Sequence, residues 1–300
     1  MSKNMKKLKF PLRGLGGFLY FLGGMALLVG VWALIAWLYR NPEATDLTEK
    51  YPLPTPVMTF NVLKEIFTQP FQNDPDVKGI GIKLLGSLLR VFIGFGLGSL
   101  VAIPLGLLLG SSKFLMNLIN PIVQILRPVS PLAWYPLGLA VFSAVGRSED
   151  LAEGSSETMV FLHALVSNPS SKAAIFMIFI CSLWPTLINT AFGVASIPQD
   201  HKNVGKAFGF SVWKYITRIM LPFSLPHIIT GLKLSIGVAW MVIVAGEMLS
   251  GGTGLGFFVW EEGFNAGKTT HIIVAILIIG IVGFVLDKLF TSLQKAFSYV

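Results

Sequence analysis

Residues 84–110 read LLGSLLRVFIGFGLGSLVAIPLGLLLG, a run in which Arg90 is the only charged side chain. A helix needs roughly 20 mostly apolar residues to cross the hydrocarbon core of a bilayer, so this run predicts a transmembrane helix. Small side chains recur at every fourth position of the run, at Gly94, Gly98, Ala102, Gly106 and Gly110. They form one smooth face, which predicts close packing against another helix, either within the chain or in a dimer. Pro104 removes a backbone donor and predicts a kink.

The rest of the chain repeats this alternation of long apolar runs and short charged segments. Of its 300 residues, 53% are hydrophobic and 13% charged, and the mean hydropathy is +0.71. Soluble domains carry about 25% charged residues, so this composition excludes an ordinary soluble protein. Six segments reach spanning length, at about 17–39, 84–110, 127–145, 173–195, 226–249 and 271–291. The predicted fold class is therefore all-α, a polytopic membrane protein with about six transmembrane helices.

The basic residues predict the orientation of these helices. Two alternating sets of segments lie outside the spans, the first comprising 1–16, 111–127, 196–225 and 287–300, and the second 40–83, 146–172 and 250–270. The first set holds 13 Lys and Arg residues and the second set 8. Because Lys and Arg favour the cytoplasmic side, the bias predicts a multi-pass inner-membrane (plasma-membrane) protein with both termini in the cytoplasm. The net charge of +8 then reflects topology and not nucleic-acid binding.

The first span follows a basic start that resembles a signal peptide. Its apolar run is too long for that role, and no small-residue cleavage site follows, so we predict an uncleaved anchor. Residues 1–83 are predicted to form an N-terminal tail, this anchor helix and an outer loop. Residues 84–300 are predicted to form a five-helix core that contains the inner loop 196–225.

Apart from the residues counted in these flanking segments, three charged residues lie within predicted spans. Arg90 and Glu247 fall near the outer ends of their helices, where they either reach the interface or form an ion pair. Lys233 lies near mid-membrane, where a charge is expensive and indicates a functional role. The alternative is a structural role, in which Lys233 pairs with Glu247 or caps a carbonyl.

The third span begins RPVSPLAWYP, at residues 127–136. Three prolines in nine residues cannot form a regular helix. Irregular backbone at membrane depth is tolerated where it is buried in protein or lines a watery cavity, so we predict that this stretch borders a path across the membrane. The alternative is a long inner loop followed by a late helix start.

The inner loop 196–225 carries the most specific motif. Pro198 predicts the start of a short helix, Gly209 interrupts that helix, and Leu221-Pro222 begins the next span. This arrangement resembles the cytoplasmic coupling loop of ATP-binding cassette (ABC) importer permeases. Their pattern is Glu-Ala-Ala, three residues, Gly, nine residues and Ile-x-Leu-Pro.

Four positions match that pattern at its spacing, namely Gly209, Ile219, Leu221 and Pro222. The first three positions are Asn203, Val204 and Gly205, so the acidic residue is absent. The resemblance implies a type I ABC importer permease fold. It also implies that these seven residues form the contact with an ATPase subunit. An ordinary basic inner loop is the alternative.

Further segments narrow the resemblance to one branch. They are Pro70-Phe71 with Lys78-Gly79-Ile80-Gly81, residues 128–134, Trp184-Pro185, Ile197-Pro198-Gln199-Asp200 and the run 251–260. These resemble nitrate/nitrite permeases of the cyanobacterial type, so nitrate or nitrite import is the implied function. Bicarbonate and cyanate permeases share the branch, and sulfonate or taurine permeases are near neighbours. The outer loop 146–172 is longer than the resemblance implies, on the face that a binding protein would approach.

The resemblance also implies partners. Two copies of the chain would form the path at their interface, joined by two cytoplasmic ATP-binding subunits and an external substrate-binding protein. ATP and Mg²⁺ would be bound by the partner ATPase, and this chain would bind no cofactor. A small anion crossing the bilayer needs donors or positive charge, for which the candidates are Arg127, Ser130, Trp134, Lys233 and Trp240.

Other motifs favour no chemistry of the chain's own. Gly267-Lys268-Thr269-Thr270 looks like the end of a phosphate-binding loop, but the required preceding glycine is Glu262. The four histidines are scattered and lack metal-ligand spacing, so no metal site or catalytic residue is predicted. With Cys181 as the single cysteine, no intrachain disulfide can form. An intramembrane enzyme is therefore disfavoured, and a stand-alone channel would leave the coupling loop unexplained.

Overall fold

The computed structural model of the chain describes residues 15–44, 51–72, 78–145 and 168–297. The basic start and most of the long outer loop lie outside these ranges, so the predictions that rest on them stay predictions. The described residues are overwhelmingly helical, which confirms the predicted fold class. The α-helices are α1 (Leu15–Leu38), α2 (Pro56–Ile66), α3 (Ile80–Ser111), α4 (Lys113–Leu126), α5 (Pro131–Val145), α6 (Pro169–Ala195), α7 (Gln199–Ala207), α8 (Val212–Tyr215), α9 (Leu221–Ser250), α10 (Leu255–Phe258) and α11 (Thr269–Phe297).

Five of these helices, α1, α3, α6, α9 and α11, are long and apolar enough to cross a membrane. A sixth crossing is possible only if α4 and α5 together count as one, and these two meet at an angle of 96°. The prediction of a single third span over 127–145 is therefore corrected. Helix α5 has 15 residues, too few to span alone, and α4 occupies the segment that we assigned to an inner loop.

The bend between α4 and α5 follows from the prolines predicted to disturb the backbone. Helix α4 ends at Leu126, and α5 begins at Pro131. Proline is tolerated at the first position of a helix, because the backbone N–H that it lacks would have no helical acceptor there. Residues 127–130 form the turn between them. The expected irregular backbone is thus present, but as a corner between two helices.

The ridge of small residues in α3 packs against α6 within the chain. A Cβ added at Gly94 would lie 2.7 Å from the Cβ of Ile178, and one added at Gly106 would lie 2.6 Å from the Cβ of Thr190. Gly98 approaches Ser182 of α6 in the same way. The choice left open by the sequence is therefore settled in favour of intramolecular packing, and the ridge runs along most of the α3–α6 interface.

Helix α6 is the centre of the bundle, since it packs against α3, α5 and α9. Its approach to α9 is close at Gly231, where a Cβ would lie 2.9 Å from the Cα of Thr186. Ser235 of α9 donates to the carbonyl of Ser182 at 2.5 Å and accepts from the backbone N–H of Thr186 at 3.1 Å. Small residues and hydroxyl groups thus join the helices where apolar burial offers little gain in lipid.

Helix α1 lies at the edge of the bundle. Most of its side chains are exposed, and Ala36 is its single fully buried residue among those described. The indole N–H of Trp32 donates to the carbonyl of Pro54 at 2.9 Å, in the segment that leads into α2. Helix α2 lies within the segment predicted as an outer loop, and Thr55 caps its first turn.

Adding a methyl group to the α3 ridge should destabilise the protein. Gly94→Ala places a Cβ against Ile178, and such overpacking typically costs about 1–3 kcal/mol. Gly96→Ala on the same helix is the matched control, because its Cβ would meet nothing within 4 Å. Thermal unfolding in detergent should show a lower midpoint for Gly94→Ala alone. Equal midpoints for the two variants would contradict tight α3–α6 packing.

Candidate functional site

The inner loop folds as the sequence predicts. Pro198 stands at the N-terminal cap of α7, which ends at Ala207. Gly209 follows with φ of 59°, a left-handed conformation that glycine adopts without steric cost and that reverses the chain. Ser211 then caps α8, and a π-helical turn, Ile216–Met220, leads into α9 at Leu221. The predicted helix start, interruption and restart are all confirmed.

The short helix α7 is fixed to the ends of two long helices. Gly205 lies against the ring of Tyr215, so close that a Cβ would come within 2.8 Å of it. The backbone N–H of Phe210 donates to the carbonyl of Gly205 at 2.9 Å. Beneath this contact, Val194 from α6 and Ile219 from the π-helical turn belong to one buried cluster. The cluster therefore joins the end of α6 to the turn that leads into α9, and Gly205 of α7 lies against that same turn at Ile219.

The outer surface of this loop is apolar and bare. Phe208, Val212 and Trp213 are 74, 78 and 74% exposed, and Val204 of α7 is exposed beside them. Exposed apolar patches of this kind mark protein interfaces. We name these four residues the coupling patch. The sequence motif indicated the loop but not the two aromatic residues, whose exposure depends on the fold of the turn around Gly209.

A buried polar cluster lies at the opposite end of the bundle. Arg90 of α3 and Glu247 of α9 form an ion pair at 2.9 Å, with side chains only 3 and 1% exposed. Ser87 donates to the same carboxylate at 2.8 Å, and Arg90 also donates to the carbonyl of Thr253. The sequence left open whether Arg90 and Glu247 pair or reach the interface. The structure shows that they pair.

This cluster holds the segment after α9 against α3. The backbone N–H of Gly256 donates to Glu247 at 3.0 Å, and that of Leu255 donates to Ser87 at 3.0 Å. Gly254 lies so close to the Glu247 carboxylate that a side chain would collide with it. Close approach to Glu247 therefore explains Gly254 and Gly256, whereas Gly251 ends α9 with a φ of 63°. The segment then continues as α10 and a π-helical turn, Val259–Asn265.

Near this end, Lys268 and Glu262 form an exposed ion pair at 2.7 Å. The hydrogen bond from Lys268 lowers the pKa of Glu262. Glu262 is the residue whose presence argued against a phosphate-binding loop, and here it neutralises the lysine of that apparent motif.

Three of the five candidate path residues share one cavity. Arg127, Ser130 and Trp134 line a space of about 280 Å³ at the α4–α5 corner. Helix α6 closes this space with Cys181, Trp184 and Pro185. An arginine, a serine and two indoles thus converge near the middle of α6, where donors to an anion would be needed.

Lys233 and Trp240 lie elsewhere. Lys233 is 3.3 Å from Asp287 of α11, so its partner is neither Glu247 nor a carbonyl. Asp287 lies within α11, which continues to Phe297. The indole N–H of Trp240 donates to the carbonyl of Ile279 at 3.0 Å, and the ring packs against Gly283. Both residues therefore join α9 to α11. In the described part of the chain, no three His, Cys, Asp or Glu side chains are grouped to hold a metal ion.

The helix arrangement matches solved ABC importers. A chain of the inward-facing MetNI methionine ABC transporter superposes with a TM-score of 0.53 at 16% identity, covering 71% of this chain and 94% of that one. An amino acid ABC transporter crystallised with histidines gives a TM-score of 0.53 at 15% identity, and the match covers 80% of this chain and 97% of that one. The protein thus has the fold of a type I ABC importer permease, a class of membrane subunit and not of enzyme.

The sequence places the chain within that class. Residues 102–299 match the family described as binding-protein-dependent transport system inner membrane component, and the chain belongs to this family. The nitrate import permease protein NrtB of Synechocystis sp. is 36% identical over 90% of this chain and 86% of its own length. The bicarbonate transport system permease protein CmpB of Synechococcus elongatus is 35% identical over 87% of this chain and 84% of its own length. The taurine transport system permease protein TauC of Escherichia coli is 28% identical over 91 and 86%.

Removing one partner of the buried polar cluster should strongly destabilise the protein. Arg90→Met leaves the Glu247 carboxylate buried without its cation, and such losses cost about 3–5 kcal/mol. Adding Glu247→Gln should restore part of the stability, because the amide oxygen still accepts from Gly256 and no charge remains. Thermal unfolding in detergent measures both effects.

The exposed ion pair supplies the control for this experiment. Lys268→Met should cost no more than about 1 kcal/mol, as expected for surface pairs. A double variant no more stable than Arg90→Met alone would show that the unpaired charge is not the cause of the loss.

Proposed function

We propose that the chain is the transmembrane permease subunit of an ATP-driven importer for a small inorganic anion, with nitrate or nitrite as its cargo. The observation that supports importer function most directly is the coupling patch, an apolar surface fixed by Gly205 and Tyr215 to the ends of two membrane helices. The choice of cargo is supported by the NrtB proteins, which are 34–37% identical over most of this chain.

In the proposed orientation both termini and the coupling loop are cytoplasmic. The excess of Lys and Arg on that side supports it, with 13 basic residues against 8. The buried polar cluster of Arg90 and Glu247 then lies at the outer end, on the side from which a binding protein delivers cargo.

The proposed assembly has two copies of this chain, two cytoplasmic ATP-binding subunits and one external binding protein. ATP and Mg²⁺ belong to the ATP-binding subunits, and this chain binds neither. Each coupling patch faces a groove of one ATP-binding subunit, with the exposed motif residues Asn203, Gly209, Leu221 and Pro222 beside it. The motif residues Gly205 and Ile219 are buried, so they support this surface from beneath and do not form the predicted contact themselves. When these subunits close on ATP, α7 moves, and α6 and α9 follow as rigid bodies because α7 packs on the turn whose buried cluster joins the two helices.

Within the path, Arg127 supplies positive charge and Ser130 a neutral donor beside the indoles of Trp134 and Trp184. A cavity of about 280 Å³ suits an ion of a few atoms. Lys233 remains a candidate for a second cationic site, with its charge balanced by Asp287 at 3.3 Å. Trp240 supports that region by joining α9 to α11.

Bicarbonate is the second candidate cargo, supported by CmpB relatives that are 35–38% identical to this chain. Uptake into vesicles that contain this chain, its ATP-binding subunit and its binding protein distinguishes the cargoes. We expect ATP-dependent uptake of labelled nitrate. Uptake of bicarbonate or taurine instead of nitrate would support importer function and contradict the choice of cargo. If a verified assembly takes up none of the three, the proposal of importer function is contradicted.

Truncating the coupling patch should uncouple the transporter. Phe208→Ala or Trp213→Ala removes an exposed aromatic anchor, and such anchors typically contribute about 2 kcal/mol or more to binding, roughly 30-fold in affinity. Binding of the ATP-binding subunit to the detergent-solubilised permease and ATP-dependent uptake should fall together.

Phe114→Ala is the matched control for these variants. Phe114 is an equally exposed aromatic residue, at 73%, on the neighbouring helix α4 and outside the coupling patch. If all three variants bind the ATP-binding subunit equally well, the coupling patch is not the docking surface.

A further inference from the structure

Helix α4 carries a continuous stripe of polar side chains. Its members are Lys113, Asn117, Asn120, Gln124 and the capping residue Arg127, spaced by four, three, four and three residues. At 100° per residue these positions fall within an arc of about 80° on one face. All five residues are exposed in the single chain. We name them the α4 stripe.

The other two faces of α4 are apolar, and they differ in their surroundings. Ile119 and Val123 pack onto α3 and α6 in a buried cluster. Phe114, Leu118 and Ile125 are bare, with 73, 57 and 69% of their surface exposed. The bare face suits lipid, but the stripe does not, because polar side chains in hydrocarbon lose their hydrogen bonds to water. The stripe therefore requires a hydrated or protein-lined environment.

A groove runs beside the stripe toward the middle of the membrane. It has a volume of about 680 Å³ and lies between α4 and α6, with Asn120, Gln124 and Arg127 along one wall. It extends to Ala195, next to the coupling loop. Arg127 and Pro128 line both this groove and the smaller cavity of Ser130 and Trp134. The two spaces thus meet at the α4–α5 corner.

The depth that the groove and the cavity reach distinguishes two possible locations of the α4 stripe, one at the membrane surface and one within the membrane. A helix lying flat at the membrane surface also has a polar face, but it stays at one depth. Here the groove reaches Ala195 at the end of α6, and the cavity at Arg127 reaches Cys181 near its middle. The separation along α6 is about 21 Å at 1.5 Å per residue. The groove and the cavity together therefore extend along about half of α6, from its coupling-loop end to its middle.

We propose that the α4 stripe lines the inner half of the translocation path and conducts a small oxyanion from the cavity at Arg127 to the cytoplasmic side. This inference rests on the proposed function. The carboxamide N–H groups of Gln124, Asn120 and Asn117 donate hydrogen bonds that replace part of the ion's hydration shell. Arg127 and Lys113 place positive charge at the two ends. Neutral donors between them bind weakly enough for the ion to leave, which conduction requires.

Cysteine labelling tests whether the stripe is hydrated. On a Cys181→Ser background, which removes the single native thiol, we place cysteine at Asn120 or Gln124 of the stripe and at Leu118 or Ile125 of the bare face. The probe is an anionic, membrane-impermeant methanethiosulfonate applied to assembled transporter in vesicles whose cytoplasmic side is accessible. Because only the hydrated thiolate reacts, we expect labelling of the stripe to be about tenfold faster or more. Equal rates on both faces, or an unreactive stripe, would overturn the proposal.

Uptake tests whether the hydrated stripe conducts. Asn120→Leu and Gln124→Leu should reduce initial uptake about tenfold or more while binding of the ATP-binding subunit is unchanged, because they remove the donors. Gln124→Asn keeps an amide and should retain most of the uptake, and Leu118→Met on the bare face is the matched control. Full uptake by both leucine variants would show that the stripe is hydrated without conducting.

The two assays separate the failure of this inference from failure of the proposed function. Uptake is measured with whichever of nitrate, bicarbonate and taurine the unmodified assembly imports. If that assembly imports its cargo and the leucine variants import it equally well, the inference that the α4 stripe conducts the anion fails, and the proposed importer function stands. If the unmodified assembly imports none of the three, the importer proposal fails, and the labelling pattern still decides whether the stripe is hydrated.

Discussion

Inside a bilayer no polar group can turn to water for a hydrogen bond, and this constraint accounts for most of the structure. Apolar side chains gain little by leaving lipid for a protein interior, so helices associate where backbones come close and hydroxyl groups bridge them. The α3–α6 and α6–α9 contacts follow this rule through Gly94, Gly106 and Gly231 and through Ser235. By the same constraint, a polar group in the membrane region without a hydrogen-bond partner in the chain indicates that water or another protein lies beside it. The buried Arg90 and Glu247 form a pair within the chain. The polar side chains of the α4 stripe are exposed, and they therefore require a hydrated or protein-lined environment.

The two ends of the bundle are built differently. At the coupling loop, packing is apolar and leaves the aromatic side chains of Phe208 and Trp213 exposed, as the proposed docking of a partner requires. At the opposite end a buried ion pair, a serine and two backbone N–H groups hold the segment 251–256 in one position. In the proposed importer, movement of α6 and α9 would therefore meet an end of the bundle where the contacts between α3 and α9 are fixed.

Periodic features of this fold could be predicted from the sequence, and features that depend on contacts between distant residues could not. The long apolar runs predicted four of the later helices, and the spacing of small residues predicted the packing face of α3 but not its partner. Helix α4 was missed because its polar stripe and Pro121 interrupt the apolar run, so the segment resembled a loop. The charged residues near the end of the last apolar run placed the end of its span at 291, whereas α11 continues to Phe297. The motif located the coupling loop, but the exposure of Phe208 and Trp213 depends on the turn at Gly209.

The pairing of Arg90 with Glu247 also constrains how the protein is made. The two residues are 157 positions apart in the chain. At ribosomal rates of about 5–20 residues per second, Arg90 emerges roughly 8 to 30 seconds before its partner. During that interval α3 carries an arginine with no carboxylate, so its long side chain must stay in contact with water near the end of the helix. Insertion of α3 and closure of this end of the bundle are therefore separate events in biogenesis, and the second waits for α9.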